Sequence, residues 1–372
     1  MDTKLKVAIL GAGHAGFAHA ADLSMKGFEV RLCEVPEMAG TISEIQKRGG
    51  IELLPDPSTG LEGGFAKVHL ITTDAQAAID GADVIFVVVP AFAQAAFARE
   101  MAPHVKPEQI VVLSPANFGG AVTFSKALED NQCQALPILC EAQSMVYACR
   151  KGGDDSIKIF GFKHGLEVAV FPAKMTAEII PTLQKVFPKL KAAPSILYTW
   201  LSNPNAIGHP PATILNAGWT EQTKGGFLFY VDGMSPAVIR VTEDLDQERL
   251  NLGKVLGLEL MPHSEMGKTW YGHQGFQGGQ YPDKERNPVY YAIKAESSLD
   301  SRYLTEDIPF GLVPLEDFGR LAGVEMPVCT SLINLANSLL GRDFRATGQT
   351  LASIGLGDMS IDDLKQLAQE GR

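Results

Sequence analysis

A chain of 372 residues, 45% apolar and 20% charged, is longer than one hydrophobic core usually organises and is expected to form two globular domains. Its formal charge of −11 repels phosphate over most approaches, which excludes nucleic-acid binding as the main role. The longest apolar stretch, Val84 to Ala98, is interrupted by Pro90 and Gln94 and is too short to span a bilayer, so no membrane segment is expected.

The first residues run directly into a strand-like segment without a signal-peptide pattern, and a cytoplasmic protein is the expectation. The five cysteines (Cys33, Cys133, Cys140, Cys149 and Cys329) form no CxxC pair and are odd in number. They are read as reduced, mostly buried thiols. No His, Asp and Glu cluster has metal-ligand spacing, and no metal is expected.

Leu5 to Leu10 is a short apolar run ending in glycine. An Ala-rich helical stretch from Ala15 to Met25 follows, and Phe28 to Cys33 is strand-like again. Between the first two stands Gly11-Ala-Gly13-His-Ala-Gly16, a GxGxxG run in strand-turn-helix context. The first glycine allows the tight turn and the second lets a dinucleotide pyrophosphate approach the backbone. The third lets helix and strand pack closely. Glu34 closes the next strand, where a carboxylate can accept the ribose hydroxyls and would repel a 2′-phosphate. No basic residue directly follows it, and Arg31 lies within the strand, pointing elsewhere. NAD(H) is therefore expected as the preferred cofactor, with NADP(H) as the second choice.

Asp83 to Val89, Ile110 to Leu113 and Leu136 to Cys140 are near-continuous apolar runs, as in strands buried on both faces of a parallel sheet. Pro90, at the end of one such strand, is expected at the cofactor edge. Ser156 to Phe160 and Glu167 to Phe171 are expected to add a hairpin. Beyond about residue 175 the texture becomes helical, in Met175 to Phe187, Ser235 to Leu256 and Cys329 to Leu340. The fold class is thus α/β: an N-terminal Rossmann doubly wound parallel sheet over residues 1–190 and a mainly helical domain over 191–372.

Two stretches of the second half concentrate chemistry. In Gly208-His209-Pro210-Pro211 a histidine, the natural acid/base near neutral pH, sits on backbone restricted by prolines. A structural histidine is the competing reading at this point. In Arg302 to Asp307 a guanidinium and two carboxylates share six residues. Arg302 suits a substrate carboxylate and Asp307 suits orientation of a histidine, although a helix end with local ion pairs gives the same pattern.

These stretches, with the GAGHAG turn, NPNAIGHPPATILN (203–216) and RYLTEDIPFGLVPLEDFGR (302–320), resemble the opine dehydrogenase family over nearly the whole chain. Weaker matches are the segments 114–120 and 141–150. The resemblance implies reductive condensation of a 2-oxo acid, often pyruvate, with the amine of an amino acid through an imine, using NAD(P)H. It implies His209 as acid/base, Asp307 as its partner, and Arg302 as binding substrate carboxylate or supporting the pair. Asn117 and Asn203 are added as substrate-binding residues. Trp219, Trp270, Tyr271, Tyr290 and Tyr291 are candidates for an amine pocket, with core packing as the rival role. The Gly- and aromatic-rich segment 267–287 is a candidate loop over the substrate. Self-association into a homodimer is compatible with the sequence. The competing readings are a 2-hydroxy-acid, ketopantoate-type or glycerol-phosphate-type dehydrogenase, which commonly use a lysine instead, and a non-catalytic NAD(H)-binding regulator.

Overall fold

A computed structural model describes residues 4–279 and 283–371. The chain folds as two units. The first comprises the described residues of Met1–Ala116, Gly120–Ile196 and Gln369–Gly371, and the second Asn117–Gly119 and Leu197–Ala368.

The first unit is built on a sheet of eight strands, ordered β12-β11-β8-β7-β6-β1-β2-β5. In chain order these are β1 (Lys6–Leu10), β2 (Glu29–Cys33), β5 (Leu70–Thr72), β6 (Val84–Val87), β7 (Ile110–Leu113), β8 (Ile138–Ala142), β11 (Glu167–Phe171) and β12 (Lys191–Ala192). From β5 to β8 every pair is parallel, and β11 runs antiparallel to β8. β6 and β7 are buried at every position, which is why their sequences show apolar runs rather than alternation.

A second sheet, absent from the sequence reading, has the order β4-β3-β10-β9: β3 (Gly50–Leu54), β4 (Gly64–Lys67), β9 (Tyr147–Lys151) and β10 (Ser156–Phe162). The expected hairpin of 156–160 with 167–171 does not form. β10 pairs with β9 and β3, whereas β11 joins β8 in the large sheet. The physical reason is visible in burial. β10 buries alternate residues, as suits a sheet with one covered face, while Val168 to Val170 in β11 are buried without alternation.

The first helix, His14–Met25, packs against strands of both sheets and is buried from Ala15 to Leu23. Its small residues permit that enclosure. Two of its buried positions are polar: Asp22 accepts the Tyr147 hydroxyl (2.7 Å) and Lys26 Nζ (2.7 Å). His19 Nδ1 lies 2.8 Å from the carbonyl of Ala15, and burial pulls its pKa down to about 4, so this imidazole is neutral at physiological pH.

The second unit is helical. Its main elements are Pro204–Leu215, Pro236–Leu256, His263–Tyr271, Arg302–Thr305, Val313–Ala322 and Pro327–Leu340. Arg249, almost fully buried on the long helix, ties it together by donating to the carbonyls of Leu201 (2.9 Å) and Met261 (2.6 Å). Its charge is balanced by Asp246 at 2.7 Å. No helix among the described residues is long and apolar enough to cross a membrane.

Candidate active site

In the first unit the glycine turn has the geometry its spacing requires. Gly11 leaves β1 at φ +102°, where a Cβ would strike Val89 Cγ1 at 2.3 Å. At Gly16 a Cβ would fall 1.8 Å from the carbonyl oxygen of Gly11, so any side chain would force helix and turn apart. Gly13 is different, because a Cβ there meets nothing within 4 Å. It caps the first helix with no side-chain hydrogen bond, so the helix N-terminus presents open backbone of the kind that receives a pyrophosphate.

Glu34 follows β2 and is buried. Its carboxylate accepts the N–H of Ala12 (2.8 Å) and of Val35 (2.8 Å), which ties the end of β2 to the turn. Arg31 is directed to Glu29 (2.9 Å) and to the carbonyls of Ala77 and Asp80, away from this edge. Pro90 precedes the helix Ala91–Met101 as its N-cap. Open backbone at Gly13, close packing at Gly11 and Gly16, and an acidic strand end together fit a dinucleotide.

In the second unit the helix Pro204–Leu215 places His209. Pro204 opens the helix, and the Asn203 side chain caps it by accepting the N–H of Asn205 (3.0 Å). Asn203 Nδ2 donates to Asn117 Oδ1 (2.6 Å), and Asn117 Nδ2 donates to Glu306 Oε1 (3.4 Å). Asn117 adopts φ 60°, a left-handed conformation that asparagine tolerates better than most residues. The two asparagines thus join the start of this helix to the acidic turn. Pro210 and Pro211 lack the N–H groups that would continue the ladder, and Gly208 leaves room for the His263 ring, 3.2 Å from its ideal Cβ position.

Arg302 begins the short helix Arg302–Thr305, and the Asp307 N–H donates back to the Arg302 carbonyl (3.2 Å). This five-residue closure continues into a π-helical turn, Ile308–Leu312, and it aims the Asp307 side chain at the histidine. π-turns occur often at functional positions. The spacing of arginine and aspartate in the sequence is therefore the spacing of one wide turn.

His209 is 4% exposed. Its Nδ1 lies 2.7 Å from Asp307 Oδ2 and its Nε2 lies 2.9 Å from the Tyr230 hydroxyl. The Tyr303 ring stacks on it at 3.9 Å between centroids, 21° from parallel, and Phe229 meets it edge-on at 6.1 Å. Burial pushes the Asp307 carboxyl up to about 7, against the opposing charge of Arg302. A carboxyl of raised pKa hydrogen-bonded to an imidazole can pass a proton across that bond and take it back. Arg302 is 40% exposed, so its guanidinium can meet a ligand while its charge still acts on Asp307, Tyr303, Glu306 and Tyr230.

The structure therefore brings His209, Asp307, Arg302, Asn117 and Asn203 into one network of the second unit. Tyr230 was missed. It ends the apolar run Phe227-Leu-Phe-Tyr230; the turn residues Gly225-Gly226 and Asp232-Gly233 around it are the available signal. Of the other aromatics, Tyr290 packs on Tyr230 (5.1 Å) and its hydroxyl donates to that of Tyr271 (2.8 Å). Trp270 and Tyr271 are buried, Trp219 stacks on Phe227 at 4.2 Å, and Tyr291 lies under Lys284. The segment 267–287 is not simply a loop: it begins inside the helix His263–Tyr271, where Gly267 makes room for the Phe276 ring. Residues 280–282 lie outside the described residues. Among the described residues no group of three or more His, Cys, Asp or Glu is placed to hold a metal ion.

Comparison with known proteins agrees in both halves. Residues 192–340 match the family model described as NAD/NADP octopine/nopaline dehydrogenase, alpha-helical domain. Residues 6–136 match that of the NAD-dependent glycerol-3-phosphate dehydrogenase N-terminus. The chain is 33% identical to an opine dehydrogenase of Arthrobacter sp. (strain 1C), over 97% of this chain and 98% of that one. It is 29% identical to vitopine synthase of Allorhizobium ampelinum, over 95% and 96%. An octopine dehydrogenase structure with NADH and L-arginine aligns at TM-score 0.75 and 22% identity, over 99% of this chain and 98% of that one.

Proposed function

The chain belongs to the opine dehydrogenase family and is an NAD(P)-dependent oxidoreductase, and from that premise we propose that it joins a 2-oxo acid, pyruvate first among them, to the amine of an amino acid. The imine so formed is reduced to a secondary amine dicarboxylate, and the same site runs the reverse oxidation. The observation that carries this reading is the buried pair of His209 and Asp307 beside the half-exposed Arg302.

Each side chain has a distinct task. Arg302 holds the 2-oxo acid by its carboxylate, for which a planar guanidinium is the matched partner. Asp307 takes the Nδ1 side of the imidazole, which leaves Nε2 as the nitrogen that exchanges a proton toward the substrate. His209 supplies the proton that turns the carbinolamine hydroxyl into water, and recovers it in the opposite direction. Asn117 and Asn203 set the start of the His209 helix, and through it the position of the ring. The nicotinamide, when bound, supplies the hydride. In the first unit Gly13 at the helix N-terminus receives the pyrophosphate, Gly11 and Gly16 close the turn that positions it, Glu34 takes the ribose hydroxyls, and Pro90 shapes the neighbouring strand end. The carboxylate of Glu34 and the diverted Arg31 favour NAD(H) over NADP(H).

The test is kinetic. His209→Asn and Asp307→Asn are each expected to lower kcat by about 10²–10⁴, the range of a lost general acid–base, with the Kd for NADH unchanged. A variant that keeps full turnover removes its residue from the mechanism. A kcat/KM for NADPH above that for NADH removes the assigned role of Glu34.

A further inference from the structure

The acid–base chain does not end at the histidine. His209 is enclosed, with Asp307 at Nδ1, the Tyr303 ring on its face and Phe229 at its edge, and its Nε2 faces the hydroxyl of Tyr230. Tyr230 is only half-buried. The hydrogen-bonded order is Asp307, His209, Tyr230, and Tyr230 is the least buried of the three residues. Arg302 is half-exposed and its charge acts on Tyr230 as well as on Asp307. The guanidinium also lies 5.6 Å from the centroid of the Tyr303 ring that stacks on His209, which links a carboxylate held there to the His209–Tyr230 pair.

The hydroxyl is also held in place. Tyr230 stands in a tight turn in which the Leu228 carbonyl accepts the N–H groups of Val231 (3.2 Å), Asp232 (2.8 Å) and Gly233 (3.1 Å). Asp232 in return accepts the Leu228 N–H at 2.8 Å. The preceding Phe229 is buried in a cluster with Ala212, Met234, Val238 and Tyr303, and its N–H donates to the Ile293 carbonyl (2.8 Å). The Tyr230 ring rests on Tyr290, whose own hydroxyl is bonded to Tyr271. A side chain meant to swing away from the histidine would not be anchored on both sides in this way.

We propose that Tyr230 is a catalytic residue, the group that hands the proton between His209 and the substrate. The proposal rests on the acid–base reading of His209 given above. In the reductive direction the Tyr230 Oη–H bond breaks as the carbinolamine hydroxyl takes its proton and departs as water with the C–O bonding pair. The nitrogen lone pair forms the iminium bond. Oη regains a proton from the imidazolium, whose N–H pair remains on Nε2, so His209 ends neutral with its Nδ1 proton held by Asp307. One proton has passed from the pair to water, and no oxidant or reductant beyond the NAD(P)H that then reduces the iminium carbon is required.

The experiment compares wild type, Tyr230→Phe and a protein carrying 3,5-difluorotyrosine at position 230, which keeps the shape of the side chain but has a more acidic phenol. We expect Tyr230→Phe to lose about 10²-fold or more in kcat, within the range of general acid–base catalysis, at unchanged Kd for NADH. We expect the difluorotyrosine protein to remain active and to show the basic limb of its pH–rate profile moved to lower pH. A Tyr230→Phe protein whose kcat stays within about threefold of wild type, or rises, would overturn the relay; so would a fluorinated protein with an unmoved basic limb. The latter test stands even where the phenylalanine variant fails to fold. Because the relay is scored on whichever hydride transfer wild type performs, reduction of a 2-oxo acid without an amine would sink the condensation reading while still testing Tyr230.

Discussion

Asp307 shows how burial and charge compete at a single carboxyl. Removal from water favours its protonated form and brings its pKa to about 7, while Arg302 pulls the other way. Taking Arg302 away therefore leaves burial less opposed, and the carboxyl pKa rises further. If the working form carries an ionised Asp307, Arg302→Gln moves the acid limb of the kcat/KM profile to higher pH, besides raising the KM for the 2-oxo acid. An acid limb that stays in place, or moves to lower pH, would show that Arg302 does not set the ionisation of this pair. At this scale the sequence was legible where backbone chemistry is unusual: Gly208-His209-Pro210-Pro211 and the Arg302 to Asp307 spacing both marked residues that the fold brings together in the candidate site. It was not legible at Tyr230. Nothing in the apolar run 227–230 tells that the last of its three rings turns a hydroxyl toward a histidine, because that depends on a turn closed by Asp232.

Among the elements, the glycine turn offers a clean separation of folding from binding. Gly16→Ala puts a methyl group against backbone at 1.8 Å, whereas Gly13→Ala puts one into open space. We expect Gly16→Ala to lose thermal stability and NADH binding together. Gly13→Ala is expected to unfold near the wild-type temperature but to bind NADH roughly tenfold or more weakly, each factor of ten being about 1.4 kcal/mol. Calorimetric unfolding and titration of NADH fluorescence measure both quantities; unchanged NADH affinity in Gly13→Ala would place the pyrophosphate elsewhere. The turn was readable from sequence because strand, glycines and helix are contiguous. The partners of β10 and β11 were not, since four residues separate them and suit a hairpin. The discriminating signal was the alternation in Ser156-Ile-Lys-Ile-Phe160 against the uninterrupted Val168-Ala-Val170, a difference between one covered face and two.

For the molecule as a whole, the change from strand-rich to helical texture led to the expectation of two domains divided at 190/191. The division in the structure follows Ile196, and Asn117–Gly119 counts with the helical unit. Local composition cannot reveal such an excursion: only the bonds of Asn117 to Asn203 and Glu306 show where the segment belongs. The small second sheet escaped for a related reason, because its strands β3, β4, β9 and β10 come from distant parts of the chain. The central claim is that hydride reaches a carbon already joined to an amine, and isotope transfer tests it most directly. NADH deuterated at both C4 positions would be supplied with pyruvate alone, with an amino-acid panel alone, and with both. We expect deuterium only in the combined reaction, at the former oxo carbon of a secondary amine whose mass is that of the reduced condensate. Deuterium in lactate formed from pyruvate alone, at a rate indifferent to every amine, would contradict it and leave a simple 2-oxo-acid reductase.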